Sequence, residues 1–237
     1  MQYAIQYQHL LWDGRLKPGD VLLSNHSEAG EHNLPDLTVI TPSFVQDGHS
    51  RNLAFYVAAR GHHTDIGGRG ITSMMPESKE LWEKGINVRC MKIVDTGTFL
   101  EDDVRQAFLD AGNFPGCSPT RRLQNNISDL KAQISSNQRG MILLQKLCRE
   151  FMLPFVHRSM NATQANAEVA VSEYLKGIAR RRELPLTATE YFDDGTMLRV
   201  SITIDDTGSA TFDWEGTGPQ MWGNYNCPIS ITNSAII

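Results

Sequence analysis

The chain reads as an α+β protein: a β-hairpin-based mixed sheet, an antiparallel pair of long helices and a C-terminal antiparallel meander. Three observations predict this class. Residues 37–45 and 53–60 are apolar and β-rich, and they flank Gln46-Asp47-Gly48-His49-Ser50-Arg51-Asn52. Asp-Gly between such runs is a hairpin signal. Helical periodicity then runs from about residue 120 to 180, and three short β signals separated by turns follow it.

The elements follow in order. Residues 1–24 end in the strand-like Asp20-Val21-Leu22-Leu23-Ser24, after the turn Lys17-Pro18-Gly19. Beyond the hairpin, the Gly-rich loop 67–76 ends in Met74-Met75-Pro76, and a short helix is expected at 77–84. Residues 86–94 alternate imperfectly through Val88, Cys90 and Ile93 and predict a strand. Residues 99–111 predict a helix, with Glu101-Asp102-Asp103 suited to its positive end. Leu123, Ile127, Leu130 and Ile134, then Ile142, Leu143, Leu144, Leu147 and Phe151, keep helical spacing over 120–152. Gly140 marks an interruption and Pro154 an end. A second helix is expected at 156–180, antiparallel to the first. It carries Met160, Ala167, Val171, Tyr174, Leu175 and Ile178. The β signals at 184–191, 197–204 and 210–214 are separated by Asp193-Asp194-Gly195 and by 205–209. The segment 229–237 reads as the start of an apolar helix or strand, so the chain is expected to stop inside a domain.

With 237 residues, a net charge of −5 and 41% hydrophobic residues, this is a globular composition. The mild acidity argues against nucleic acid. The one basic block, Arg180-Arg181-Arg182, sits late in a predicted helix, where cations are favoured. No apolar run approaches the ~18 residues that span a bilayer, and the N-terminal residues lack a secretory pattern. The four cysteines are far apart with no C-x-x-C pair. They read as reduced thiols in a cytoplasmic protein. Neither a G-x-x-x-x-G-K-[ST] phosphate loop nor a G-x-S-x-G elbow occurs.

Two polar clusters flank the hairpin: residues 25–36, and Gly61-His62-His63-Thr64-Asp65-Ile66-Gly67-Gly68. Five of the seven histidines lie in or between them. A reversal near Gly48 pairs residue 36 with about residue 60, with facing Cα atoms roughly 5 Å apart. Asp36, His62, His63 and Asp65 then gather at one spot, with His32 and Glu28 in reach. Imidazole and carboxylate together suit Mn, Fe, Zn or Co. Adjacent residues of an extended segment face opposite ways, so only one of His62 and His63 ligates or reacts. Asp129, Gln133 and Asn137 form an i, i+4, i+8 stripe, with Asn126 on the same side. Such a stripe is commonly a solvated helix face, and the alternative is a cleft lining. Asn126, Asp129 and Gln133 are expected to turn toward the hairpin site.

At these residues the sequence resembles the hydantoinase B/oxoprolinase family. The resemblance is carried by Gly19-Asp20-Val21-Leu22-Leu23-Ser24-Asn25, Leu34-Pro35-Asp36, Gly61-His62-His63-x-Asp65-Ile66-Gly67-Gly68, Asp129-Leu130-x-Ala132-Gln133 and Asp193-Asp194-Gly195, in this order. Ser24-Asn25-His26, residues 161–167 and Phe212-x-x-x-Gly216-Thr217-Gly218-Pro219 look most like its eukaryotic members. The resemblance implies a partial hydantoinase B-type domain over 1–237, the N-terminal part of that domain. It also implies ATP-dependent opening of a cyclic amide, 5-oxo-L-proline to L-glutamate. A separate hydantoinase A-type region would handle ATP. The full-length protein would form a homo-oligomer.

The resemblance further implies catalytic roles for His62, His63, Asp65 and Asp129. It implies Asp36 and a histidine of the 62–63 pair as metal ligands, which makes Asp36, His62 and His32 the candidate set for a divalent ion (Mn, Zn or Fe). The family pattern places a histidine where this chain has Asn33, next to His32. That departure predicts weak or absent metal binding unless the loop 30–34 shifts by a residue. Without a metal, His62 or His63 serves as general base, held by Asp36 or Asp65. The competing class is a non-catalytic truncated product or assembly module, which the missing nucleotide motif and apolar C-terminus would suit.

Overall fold

The apolar runs around Asp47-Gly48 form two long antiparallel strands, β2 (Asp36–Asp47) and β3 (Ser50–His62). A computed structural model of the chain describes residues 1–47, 50–71 and 75–237. Gly48 and His49 at the hairpin tip, and Met74 in the Gly-rich loop, therefore lie outside the described residues. Asp47 pairs with Ser50 next to the tip, and Asp36 pairs with His62 at the base. Ser43 pairs with Phe55 but Phe44 with Leu53, so Ala54 is an extra residue, a β-bulge in β3. The bulge supplies one residue of the shift of Asp36's partner from the expected residue 60 to His62; the other is already present where Asp47 pairs with Ser50.

The hairpin joins β1 (Val21–Ser24), β4 (Met91–Asp95) and β5 (Thr98–Phe99) in a five-stranded sheet of order β3-β2-β1-β4-β5. Every ladder is antiparallel, so the sheet is not mixed as expected. β4 begins later than the apolar pattern of 86–94 suggests. The reason is Asn25, whose side chain donates to Leu34 O and Ile86 O and accepts from Val88 N at 2.6–2.8 Å. Those backbone groups are already paired, so the ladder starts at Met91.

Both faces of this sheet are covered. Val21, Leu23, Leu37 and Val39 face α2 (Glu101–Asp110) and α3 (Leu123–Phe151), packing with Val104, Phe108, Ile127 and Leu130. Leu22 and Ile40 face the other way and pack with Ala4 and Leu16, under α1 (Gln2–Trp12). Each fully buried leucine or isoleucine here contributes about 1.5–3 kcal/mol. The helix expected at 77–84 is reduced to a 3-10 turn, Leu81–Lys84, whose start is capped reciprocally by Glu80 and Glu83.

Gly140 does not interrupt α3. A Cβ there would stand 2.9 Å from Val57 Cγ1, so the glycine lets the helix lie close on the hairpin. The break comes at Met152, with φ 64°, and Pro154 sits in the first turn of α4 (Leu153–Ala179), where its missing N–H costs nothing.

The chain divides into two units, Met1–Glu150 with Met221–Ile237, and Phe151–Gln220. The second unit holds α4 and the meander β6 (Leu186–Tyr191), β7 (Met197–Ile204) and β8 (Ala210–Asp213), with α4 packed on β7. Asp193-Asp194-Gly195 is a turn between strands, with Asp194 accepting from Thr196 N at 2.8 Å. Within its own unit each long helix packs on a sheet, α3 on the five-stranded sheet and α4 on β7. The apolar segment near the end is α5 (Ile229–Ile236) in the first unit. Among the described residues no helix is long and apolar enough to cross a membrane.

Candidate functional site at the base of the hairpin

The base of the hairpin presents two facing pairs on one side of the sheet, Asp36 with His62 and Thr38 with Arg60. His62 Nδ1 lies 2.7 Å from Asp36 Oδ1. An ionised Asp36 accepts from Nδ1–H, which leaves the lone pair on Nε2. The His62 side chain is 54% exposed and that of Asp36 19%, so the free ring edge points into open space. The clefts along the hairpin lie nearer its tip, around Tyr56 and Arg51 and around Gln145, away from this dyad.

His63 faces the opposite side, buried against α3, with Nε2 at 3.3 Å from Gln133 Oε1. Burial holds its pKa below the ordinary histidine value, opposed by the Gln133 contact and the charge of Asp129. Asp129 itself is exposed, and only its charge reaches His63.

The rest of the polar stripe is not a solvated face. Asn126 donates to Asp65 O, Gln133 to Leu37 O and Ala59 O, and Asn137 to Val39 O. The helix therefore turns Asn126 to the 63–68 loop and Gln133 to the hairpin backbone, on the side of the sheet opposite the Asp36–His62 dyad expected to receive them, and leaves Asp129 at its exposed edge.

Asp65 does not join the histidine dyad. Its carboxylate accepts from Gly67 N, from Arg121 N and from the Arg121 guanidinium, all at 2.9–3.2 Å. Its carbonyl accepts from Thr120 Oγ1 and Asn126 Nδ2. The residue clamps the 63–68 loop to the start of α3. Glu28 is likewise engaged elsewhere, in a surface ion pair with Arg89.

His32 stands beside the face of the dyad. Its pKa is lowered by burial, then by the charges of Arg60 and the Met1 amino group, with Asp36 opposing. Asp36 and His62 spend their facing atoms on each other. Among the described residues no three His, Cys, Asp or Glu side chains are grouped to hold a metal. The donor set Asp36, His62 and His32 is therefore not assembled as a coordination sphere here. Asn33 O accepts from Asp36 N at 3.0 Å, closing a turn that places residue 33, not 32, three positions before the carboxylate and folded back on it.

Sequence reasoning missed three members of this face. Arg60 pairs with Glu31, and Thr38 Oγ1 lies 2.9 Å both from Arg60 Nε and from Glu31 Oε2. Arg60 and Thr38 could have been found from the period-2 alternation that puts them beside His62 and Asp36. Glu31 sits in an irregular loop and carries no such signal.

The site is thus an aspartate–histidine dyad at the base of a hairpin in an α+β protein. The Hydantoinase B/oxoprolinase family model matches residues 1–237, and the chain belongs to that family. It is 63% identical over 238 residues to the 5-oxoprolinase PfmaA of Pestalotiopsis fici and 42% identical over 240 residues to the 5-oxoprolinase of Saccharomyces cerevisiae. Each match covers 100% of this chain and 18% of the relative, so the chain spans about a fifth of their length. Among solved structures, the ATP-dependent caprolactamase from Pseudomonas jessenii superposes with a TM-score of 0.75 at 19% identity, over 98% of this chain and 38% of that one. Acetone carboxylase in its nucleotide-free form gives 0.72 at 18% identity, over 99% and 32%. At these identities the likeness is one of fold.

Proposed function

We propose that this region serves the hydrolytic step of an ATP-dependent cyclic-amide hydrolase that opens 5-oxo-L-proline to L-glutamate. The observation that carries the reading is the 2.7 Å contact between Asp36 Oδ1 and His62 Nδ1, with the His62 side chain 54% exposed and no partner on Nε2 among the described residues. Family membership and two relatives named 5-oxoprolinase supply the substrate class. A hydantoinase A-type region outside this chain handles ATP and activates the lactam carbonyl by phosphorylation. Water then adds to the activated carbon as His62 Nε2 takes its proton. The tetrahedral adduct collapses with cleavage of the C–N bond, the imidazolium returning the proton to the departing ring nitrogen. A second water hydrolyses the resulting acyl phosphate to the carboxylate and inorganic phosphate. Asp36 holds the imidazole in the right tautomer and stabilises the imidazolium that forms. His63, with Asp129 beside it, packs the loop against α3, and Asp65 fixes the 63–68 turn. On this reading the imidazole of His62, held by Asp36, activates the water. The unpaired thiols suit the cytoplasmic setting of this chemistry.

The test is a graft. The matching segment of the Saccharomyces cerevisiae 5-oxoprolinase is replaced by this chain, and ATP-coupled glutamate release is measured. Substitution His62→Ala in the graft should lower kcat by roughly 10²–10⁴, the usual contribution of a general base. Asp36→Asn should lower it less while shifting the acid limb of the pH–rate profile. Full turnover by the His62→Ala graft would sink the reading.

A further inference from the structure

The structure assigns to Arg60 a second task at the dyad: binding the carboxylate that distinguishes 5-oxoproline from a plain lactam. This inference rests on the reading of the site as one for 5-oxoproline. Arg60 faces Thr38 across the hairpin, one pair along from Asp36 and His62 and on the same side of the sheet. Pairs two residues apart on a strand stand about 7 Å from each other. A five-membered lactam with its reacting carbonyl at His62 therefore reaches Arg60 with the carboxylate on its far side.

The guanidinium is held for this task. Nε donates to Thr38 Oγ1 at 2.9 Å, and Nη2 is paired with Glu31 Oε2, to which Thr38 also donates. Among the described residues nothing accepts from Nη1. Glu31 is wholly buried and Arg60 keeps 17% of its side-chain surface open, so an incoming anion meets the guanidinium and not the carboxylate behind it. Arginine offers five N–H donors in a planar fork, and a carboxylate accepts two of them in parallel. The charges of Arg60 and Asp36 both act on the ring of His32, with opposite sign. Removing a lone buried ion would be costly, and this pair is positioned by a neutral hydroxyl on its own ladder step. Glu31 and Thr38 are positioning residues for Arg60 on this account.

The experiment is ligand binding to the 237-residue chain, followed by calorimetry and by NMR shifts of the His62 ring. The ligands are 5-oxo-L-proline, 2-pyrrolidinone, which lacks only the carboxylate, and cyclopentanecarboxylate, which lacks only the amide. The wild-type chain should bind 5-oxoproline about tenfold or more tighter than 2-pyrrolidinone, as a charge-assisted pair requires. The double substitution Arg60→Ala with Glu31→Gln removes the guanidinium together with its buried partner charge. It should abolish that preference while leaving 2-pyrrolidinone binding unchanged. Arg60→Lys, which keeps the charge but loses the fork, should give an intermediate ratio.

Cyclopentanecarboxylate binding as tightly as 5-oxoproline, and depending on Arg60, would support the anchor while removing the lactam reading. Absence of any preference, absence of binding by all three ligands, or a preference that survives in the double variant would overturn the inference. So would a preference lost on acetylation of the Met1 amino group, which also lies within electrostatic reach of Arg60 and Glu31.

Discussion

Gln133 decides which ring nitrogen of His63 carries a proton. Its amide nitrogen donates to Leu37 O and Ala59 O, both at 3.0 Å, so Oε1 is the atom left facing His63 Nε2. The imidazole must donate there, and its lone pair sits on Nδ1, which is buried without a partner among the described residues. Nitrogen-15 NMR should show His63 as the Nε2–H tautomer. Gln133→Leu strands three groups at once and should cost about 2–4 kcal/mol in urea unfolding, since each buried orphan costs about 1–3 kcal/mol. A loss below experimental error would mean that the helix holds the hairpin by apolar packing alone.

Asp20 ties the start of β1 to the β4–β5 turn. Burial pushes its pKa up, but the amides of Thr96 and Lys17 and the ammonium of Lys92 outweigh this and hold it below the usual aspartate value. A depressed folded pKa gives stability that is present above the unfolded value and is lost as pH falls through the folded one. Asp20→Asn should therefore destabilise the chain by about 2 kcal/mol at pH 7, as for hydrogen bonds to a charged group. The gap should close on acidification below about pH 4. A gap that stays constant from pH 7 to pH 3 would contradict the charged clamp.

Gly68 and Gly97 have almost the same φ, +92° and +94°, but different surroundings. A Cβ on Gly68 would stand 2.5 Å from Glu83 O and 2.6 Å from Gly85 N, whereas Gly97 has nothing within 4 Å. Gly97→Ala should cost about 1 kcal/mol, the backbone penalty alone. Gly68→Ala should cost more than about 3 kcal/mol, because rigid backbone must move. Equal shifts in melting temperature for the two variants would refute this ordering.

The turn from Asn33 to Asp36 makes a metal prediction concrete. The exchange His32→Asn with Asn33→His moves the imidazole to the position folded back on Asp36. It should raise Mn or Zn affinity over the wild-type chain, by roughly 10-fold or more if the added imidazole ligates. Calorimetry showing weaker binding after the exchange would identify His32 as a ligand already in use.

The isolated 237-residue chain should release no glutamate from 5-oxoproline and ATP. It carries no G-x-x-x-x-G-K-[ST] phosphate-binding sequence, and a lactam has no other driving force for opening here. A coupled assay for ADP and glutamate on the purified chain decides the matter.

The hairpin was legible because Asp47-Gly48 sits between two β-rich runs, and the meander because turn chemistry separates its strands. The helix α1 was not, since only Ala4 and Gln8 of it are buried and its apolar residues do not form a stripe. A polar stripe such as that on α3 commonly faces water, because amide side chains seek it. Here the carbonyls of β2 and β3 accept from them, and no local pattern announces that. Proximity in sequence groups Asp65 with the histidines. Its partner Arg121 lies 56 residues away, in a loop whose sequence gives no hint of the pairing.

The bulge at Ala54 has a consequence for which ring meets Asp36. If every residue of β3 took its place in the ladder, Asp36 would face Gly61, and strict alternation would turn His62 toward α3 and His63 outward. The choice between two chemically identical neighbours is thus made by backbone parity several residues upstream, not by the motif that contains them. Deleting Ala54 would straighten the strand and keep the pairing. Inserting or deleting one residue between Phe55 and Arg60 would exchange the two imidazoles, leaving composition and motif almost untouched while relocating the reactive edge to the other side of the sheet.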